Sequence, residues 1–227
     1  YTLSWPHEEH ESGRPVLTSP IYEILKKQGA CFGSKLGWER PNWFAPEDET
    51  AQDIYSYSRQ NWFTHVGEEH RAVRERVALF DQSSFAKFRI IGTDAEKALN
   101  RICANNVAKP SGALTYTQML NSKGGIEGDL TVARLAKDEF YLVSGTGFRT
   151  HDSAWIRSQF LPDEKVELHD ITEEWATFSL MGPLARGFWR RLRKTIWKMK
   201  IFPLERAETL KLKKNSHRTF RRFWLCE

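Results

Sequence analysis

Between residues 86 and 181 the apolar positions keep two periods that take turns. Ala86, Phe88 and Ile90 recur every second residue, which predicts a strand over 86–91. Ala95, Leu99 and Ile102 then recur at helical spacing, which predicts a helix from the capping-box signature Thr93-Asp-Ala-Glu96 to about Cys103. Alternation returns over 114–120, followed by the turn-rich 121–125 and a hairpin partner over 130–135. A strand over 139–144, a helix over 150–160, and short strands over 166–168 and 176–181 follow. Gly182-Pro183 then opens a further helix, with the proline in a permitted first-turn position. Strands joined largely by hairpin-length turns, with few helices among them, predict an α+β fold: a mainly antiparallel sheet flanked by helices.

Outside that stretch the pattern loosens. Pro6, Pro15, Pro20, Pro41 and Pro46 punctuate residues 1–47, which predicts a loop-rich N-terminal segment with one short helix over 21–27. Residues 48–64 turn from acidic to aromatic, and Val73 and Val77 mark a helix over 68–79. Beyond residue 187, Phe188, Trp189, Leu192, Ile196 and Met199 recur at helical spacing between Arg and Lys. That basic amphipathic pattern suits a membrane surface or a partner groove, and equally suits a plain continuation of the helix before it.

Bulk composition narrows the classes. A chain of 227 residues with 40% hydrophobic and 13% aromatic residues has ample material for a sizeable core. It contains no run of about eighteen apolar residues, so no membrane span is expected. The start, Tyr1-Thr-Leu-Ser-Trp-Pro, has neither an initiator methionine nor a leader pattern and reads as part of a longer soluble protein. Cys31, Cys103 and Cys226 are odd in number and far apart, which supports neither a disulfide framework nor a thiolate metal site and suits a reducing compartment. The formal net charge of +5 is uneven: residues 187–227 hold thirteen Lys and Arg against three Glu, leaving 21 basic and 26 acidic residues before them. A case for nucleic acid would rest on those forty-one residues alone, and no nucleic-acid partner is expected.

Most candidate chemistry dissolves on inspection. His7-Glu-Glu-His10 has the wrong spacing for two ligands on one helical turn, and no metal site is expected. Gly145-Thr-Gly147 sits between a strand and a helix as a dinucleotide loop would, but Thr150 stands where the third glycine belongs. Ser83 and Ser84 lack a nucleophile-elbow context, and Cys103 falls in an amphipathic helix where packing is its natural role. What remains is Asp129. By period two it shares a face with Thr131 and Ala133 while Leu130 and Val132 turn to the core. Small neighbours leave room for a planar ligand, and a carboxylate beside such a hollow can accept a hydrogen bond from a ring amine or hold a developing cation. Tyr116, on the preceding strand, offers an aromatic wall with a polar tip. The bland alternative is a solvated aspartate after a double-glycine turn.

At these residues the chain resembles a known family. Phe80-Asp-Gln-Ser-Ser-Phe-Ala-Lys-Phe88, Tyr116-Thr-Gln-Met-Leu-Asn-Ser-Lys-Gly-Gly-Ile-Glu-Gly-Asp-Leu130, Phe140-Tyr-Leu-Val-Ser144 and Leu180-Met-Gly-Pro-Leu-Ala185 are similar, in order and spacing, to the folate-binding domain of the glycine-cleavage T-protein, an aminomethyltransferase. Ser19-Pro-Ile-Tyr22, Gly37-Trp-Glu-Arg-Pro-Asn-Trp-Phe44 and Val66-Gly-Glu-Glu-His-Arg-Ala-Val-Arg-Glu-Arg-Val77 are closer to the dimethylglycine and sarcosine dehydrogenases, in which a flavin oxidase domain precedes the T-protein-like half. The resemblance implies a division into 1–47, the end of the oxidase-type region; 48–186, the folate-binding portion; and 187–227, a basic tail without a counterpart. It further implies tetrahydrofolate as the cofactor, FAD only in an upstream oxidase domain, and a bacterial cytoplasm or mitochondrial matrix.

The implied activity is capture of the methylene unit of an oxidised N-methyl amine as 5,10-methylenetetrahydrofolate. The family's catalytic aspartate falls on Asp129, and its pocket positions on Tyr116, Phe85 and Val143. Two departures stand out. The family often carries a second acidic residue just before its aspartate, where this chain has Gly128, and its later Tyr-Gly-Glu-like pterin-gripping segment has no counterpart in 187–227. Two rival functions follow: a non-catalytic regulatory subunit resembling that of pyruvate dehydrogenase phosphatase, and a binding module acting through the basic tail.

Overall fold

The structure, a computed structural model, describes residues 9–196, with side chains through residue 191. The basic tail beyond 196, Met199 included, lies outside the described residues. The chain divides into two compact units: among the described residues, one takes 9–81 and 179–196, the other 82–178.

The second unit is built on a five-stranded antiparallel sheet. In chain order its elements are β4 (Ala86–Ile91), α3 (Ala95–Ile102), β5 (Leu114–Leu120), β6 (Ile126–Ala136), β7 (Glu139–Ser144), α4 (Arg149–Gln159) and β8 (Glu167–Asp170), with strand order β5-β6-β7-β4-β8. Every ladder is antiparallel, as the hairpin-length turns between β5 and β6 and between β6 and β7 require for those two pairs. Alternate residues of the strands bury one face: Phe88, Ile90, Met119, Leu130, Val132, Phe140 and Leu142 pack with Leu99 and Ile102 of α3 and Ile156 of α4. On the opposite face a smaller cluster forms where Ala133, Tyr141, Ile171 and Trp175 meet, with the Tyr141 and Trp175 rings stacked 5.2 Å apart. Helices thus cover one face of the sheet, and an irregular segment around 171–177 covers part of the other.

The first unit contains more regular structure than its prolines predict. After α1 (Tyr22–Lys27), β1 (Ala30–Lys35) and β2 (Trp38–Phe44) form a hairpin in the segment expected to be loop-rich. Leu36 and Gly37 turn it with φ of 52° and 84°, the backbone of a tight two-residue hairpin turn, although leucine is an unusual occupant of its first position. Pro41 lies beside the register shift at Cys31/Phe32, where an irregular ladder tolerates a missing N–H. Arg14 holds the hairpin through two bonds to the buried Glu39 carboxylate, at 2.8 and 2.6 Å, and one to the Phe32 carbonyl.

Two helix boundaries differ from expectation. The helix expected over 68–79 is α2 (Phe63–Glu75), and Ala78–Asp81 is instead β3, paired with β9 (Phe178–Met181). Trp62 and Val66 pack on the Cys31, Trp43 and Ala45 cluster, which anchors the helix start earlier than the Val73/Val77 pattern implied. At α3 the helix is present but the capping box is not: Asp94 stands at the N-cap without a side-chain cap bond, and its carboxylate accepts from the Lys165 N–H at 2.8 Å. The helix opened near Gly182-Pro183 is α5 (Ala185–Ile196).

Candidate functional site

The sheet face opposite the helices carries a hollow of about 290 Å³ within the second unit, and Asp129, Tyr116, Phe85 and Val143 all line it. Three come from neighbouring strands β5, β6 and β7. Tyr116 pairs with Thr131 and Thr131 with Val143, so these side chains form one row across the sheet. Asp129 stands two residues before Thr131 on the same face, and the Tyr116 hydroxyl donates diagonally to its Oδ2. That bond to a carboxylate is the main cause of a Tyr116 phenol pKa above its ordinary value. Asp129 is exposed and Tyr116 is 59% exposed, so the polar pair sits at the mouth. Ala133 and the fully buried Tyr141 line the interior.

The alignment of Asp129 with Tyr116 depends on one extra residue. Leu120 pairs with Ile126 but Met119 pairs with Gly128, so Glu127 is the unpaired residue of a β-bulge. Residues directly opposite each other in an antiparallel ladder point to the same face. Counted from the turn without the bulge, Asp129 would oppose Thr117, whose side chain is fully buried. With it, Asp129 opposes Gln118 and joins the face of Tyr116. Asn121 Nδ2 donates to Glu127 Oε1 at 2.8 Å, and His151 Nε2 lies 3.6 Å from Glu127 Oε2.

Gly128 belongs to the opposite face. A Cβ there would lie 2.7 Å from Met119 Cε and 3.1 Å from Asp152 Oδ1. A carboxylate at this position would therefore meet the buried Asp152 of α4 and could not share a site with Asp129.

The remaining wall is made by loops. Gln82, Phe85 and Thr177 line it, tied by Gln82 N–H to Thr177 O at 2.8 Å, Phe85 N–H to Gln82 O at 3.0 Å and Thr177 N–H to Ser83 Oγ at 3.2 Å. Lys87, buried at 0% exposure, donates from Nζ to the Ser83 carbonyl at 2.6 Å. Sequence reasoning did not single out Gln82, Tyr141 or Thr177 as cavity residues. Tyr141 could have been found, since period two on β7 places it with Val143; Gln82 and Thr177 arrive from segments 95 residues apart and leave no local signal.

Other singled-out residues lie elsewhere. Cys103 is buried, and that burial pushes its thiol pKa up to about 12, so it is packed rather than nucleophilic. Gly145 lines the cavity rim, and Thr146–Phe148 forms one 3-10 turn leading into α4. Among the described residues no helix is long and apolar enough to cross a membrane.

Comparison with known proteins bears on this geometry. A family model described as the GCVT N-terminal domain matches residues 21–227, a span that takes in the stretch 187–227. The chain is 36% identical over 197 residues to a 4-methylaminobutanoate oxidase (formaldehyde-forming) of Paenarthrobacter nicotinovorans, covering 87% of this chain and 24% of that protein. It is 34% identical to mitochondrial dimethylglycine dehydrogenase of Rattus norvegicus, covering 92% and 24%. It is also 34% identical to the mitochondrial pyruvate dehydrogenase phosphatase regulatory subunit of Mus musculus, covering 82% and 22%. The chain thus spans about a quarter of the length of these relatives. Among solved structures, the glycine cleavage system aminomethyltransferase T from Bartonella henselae superposes with a TM-score of 0.65 at 24% identity, over 85% of this chain and 47% of that one. This likeness shows the fold.

Proposed function

Because the chain belongs to the GCVT N-terminal domain family, we propose that its second unit binds tetrahydrofolate in the hollow beside Asp129 and serves one-carbon capture in a dimethylglycine or sarcosine dehydrogenase-type enzyme. The observation that carries this reading is the convergence of Asp129, Tyr116, Phe85 and Val143 on one cavity. Its size, about 290 Å³, is at the lower end for small-molecule sites, roughly 300–1,000 Å³, and suits a fused ring with the rest of the ligand outside. The walls suit a flat heteroaromatic ring: Phe85, Val143 and Ala133 offer apolar contact, while the polar pair waits at the mouth.

Tetrahydrofolate bound here would supply the ring nitrogens that take up the one-carbon unit of an oxidised N-methyl amine. The chain's own residues orient and assist. Asp129, held by the Tyr116 hydroxyl, accepts a hydrogen bond or a proton from a ligand amine and stabilises positive charge developing nearby. Phe85 and Val143 keep water from the ring's faces. FAD and the amine oxidation belong to an upstream oxidase domain, in a bacterial cytoplasm or a mitochondrial matrix. Fluorescence titration with tetrahydrofolate tests the reading: saturable quenching that Tyr116→Ala or Phe85→Ala weakens supports it, and no saturable binding retires it.

The 34% identity to a phosphatase regulatory subunit favours a second reading, in which the same fold acts by binding a partner enzyme. A change in phosphatase activity on adding this chain, without folate binding, would select it.

A further inference from the structure

We propose that Glu127 is a positioning residue for Asp129: held by Asn121, it locks the β-bulge that sets the Asp129 carboxylate on the Tyr116 side of the sheet.

A one-residue slip moves every side chain of a strand to the other face, so the extra residue before Asp129 decides whether the face it shares with Thr131 lines up with Tyr116 and Gln118 of β5 or with the buried Thr117 and Met119. A bulge needs something to hold it in place, because an unpaired residue contributes no ladder bonds of its own. Glu127 is held by its own turn. Asn121 is itself fixed in the turn, with Oδ1 accepting from the Lys123 and Gly125 N–H groups at 3.0 and 2.9 Å, so its Nδ2 presents a set direction to Glu127 Oε1. His151, at the start of α4, keeps Nδ1 3.0 Å from Oδ1 of the buried Asp152 and Nε2 3.6 Å from Glu127 Oε2, an ion pair only when the imidazole is protonated. The bulge is thereby tied to its own turn. Gly128 completes the device, since its missing side chain lets Asp152 and Met119 close in behind the bulge.

The importance of Asp129 for function rests on the folate reading, but the positioning claim is tested without folate. The signal is the ionisation of Tyr116, followed by NMR of 13Cζ-labelled tyrosine and assigned with Tyr116→Phe. In the unaltered chain it titrates above the ordinary value of about 10, because of the Asp129 contact. In Glu127→Ala, which removes the clamp, the midpoint is expected to fall to the ordinary range while thermal unfolding remains cooperative. In Glu127→Gln, which keeps an acceptor for Asn121, it should stay high. A Tyr116 midpoint unchanged in the alanine variant overturns the proposal, as does an equal fall in both variants. Should the alanine variant not fold, Asn121→Ala is read by the same signal: a midpoint moved toward the ordinary range supports the clamp, and an unmoved one overturns it. Absence of tetrahydrofolate binding in the unaltered chain would retire the folate reading and leave this result standing.

Discussion

The Tyr116 hydroxyl donates to the Asp129 carboxylate across β5 and β6, from a residue that pairs not with Asp129 but with Thr131 two positions further on. This diagonal contact gives the exposed carboxylate a fixed partner at the mouth of the cavity. A hydrogen bond to an ionised acceptor resists deprotonation of its donor, which accounts for the raised phenol pKa. Asp129→Asn is therefore expected to bring the Tyr116 midpoint down to about 10, measured by tyrosine NMR or ultraviolet difference titration. A midpoint that stays high in that variant would assign the shift to some other group.

Catalytic use of Asp129 predicts a larger effect on rate than on stability. In a full-length N-methyl amine dehydrogenase carrying this domain, Asp129→Asn should lower folate-dependent one-carbon transfer by about 10² to 10⁴, or roughly 3–5 kcal/mol of barrier. Because the side chain is exposed, the thermal midpoint should be nearly unchanged. Full folate-dependent turnover in the variant would remove Asp129 from the mechanism.

Restoring the family's second acidic residue should not restore a paired site. Gly128→Ala places a Cβ against Met119 and Asp152 and is expected to cost about 1–3 kcal/mol by overpacking. Gly128→Asp should cost more, since it adds a carboxylate beside the buried Asp152. Calorimetric unfolding measures both, and a neutral Gly128→Asp would mean that β6 lies in a different register.

Burial of Cys103 makes stability fall in alkali. Below about pH 8.5, the ordinary thiol value, the group is neutral whether the chain is folded or not. Between there and its folded value of about 12, only the unfolded chain releases the proton, so its contribution to stability is lost as pH rises through that window. Cys103→Ala should flatten this part of the stability profile. In the native protein Cys103 should also resist alkylation at pH 8 until denaturant exposes it, as followed by peptide mass spectrometry.

How much of this was legible in the chain depends on the range of the forces involved. Ala86–Ile91, Leu114–Leu120 and Glu139–Ser144 could be read to the residue: Leu114–Leu120 alternates because it is half-buried, and the other two, buried along most of their length, stand out as short apolar runs. The α3 helix could be read, but its capping box could not, because Asp94 found a partner 71 residues away in Lys165. The hairpin of β1 and β2 was hidden by Pro41 and by a leucine in a turn that favours asparagine or glycine. At the site, period two separated Asp129 from Leu130 and Val132, and the resemblance to a folate-binding family pointed to Tyr116, Phe85 and Val143.

The amino-acid order by itself determined the α+β class, most strand positions and Asp129 as a candidate, because those follow from short-range periodicity and side-chain type. Only the tertiary structure decided that the candidates share one hollow, that Gln82 and Thr177 close its far wall, and that the Asp129 face of β6 lines up with Tyr116 of β5. The physical reason is that strand register has parity. One unpaired residue, Glu127, inverts the facing of everything after it relative to the partner strand, and its side chain is held by Asn121 in its own turn.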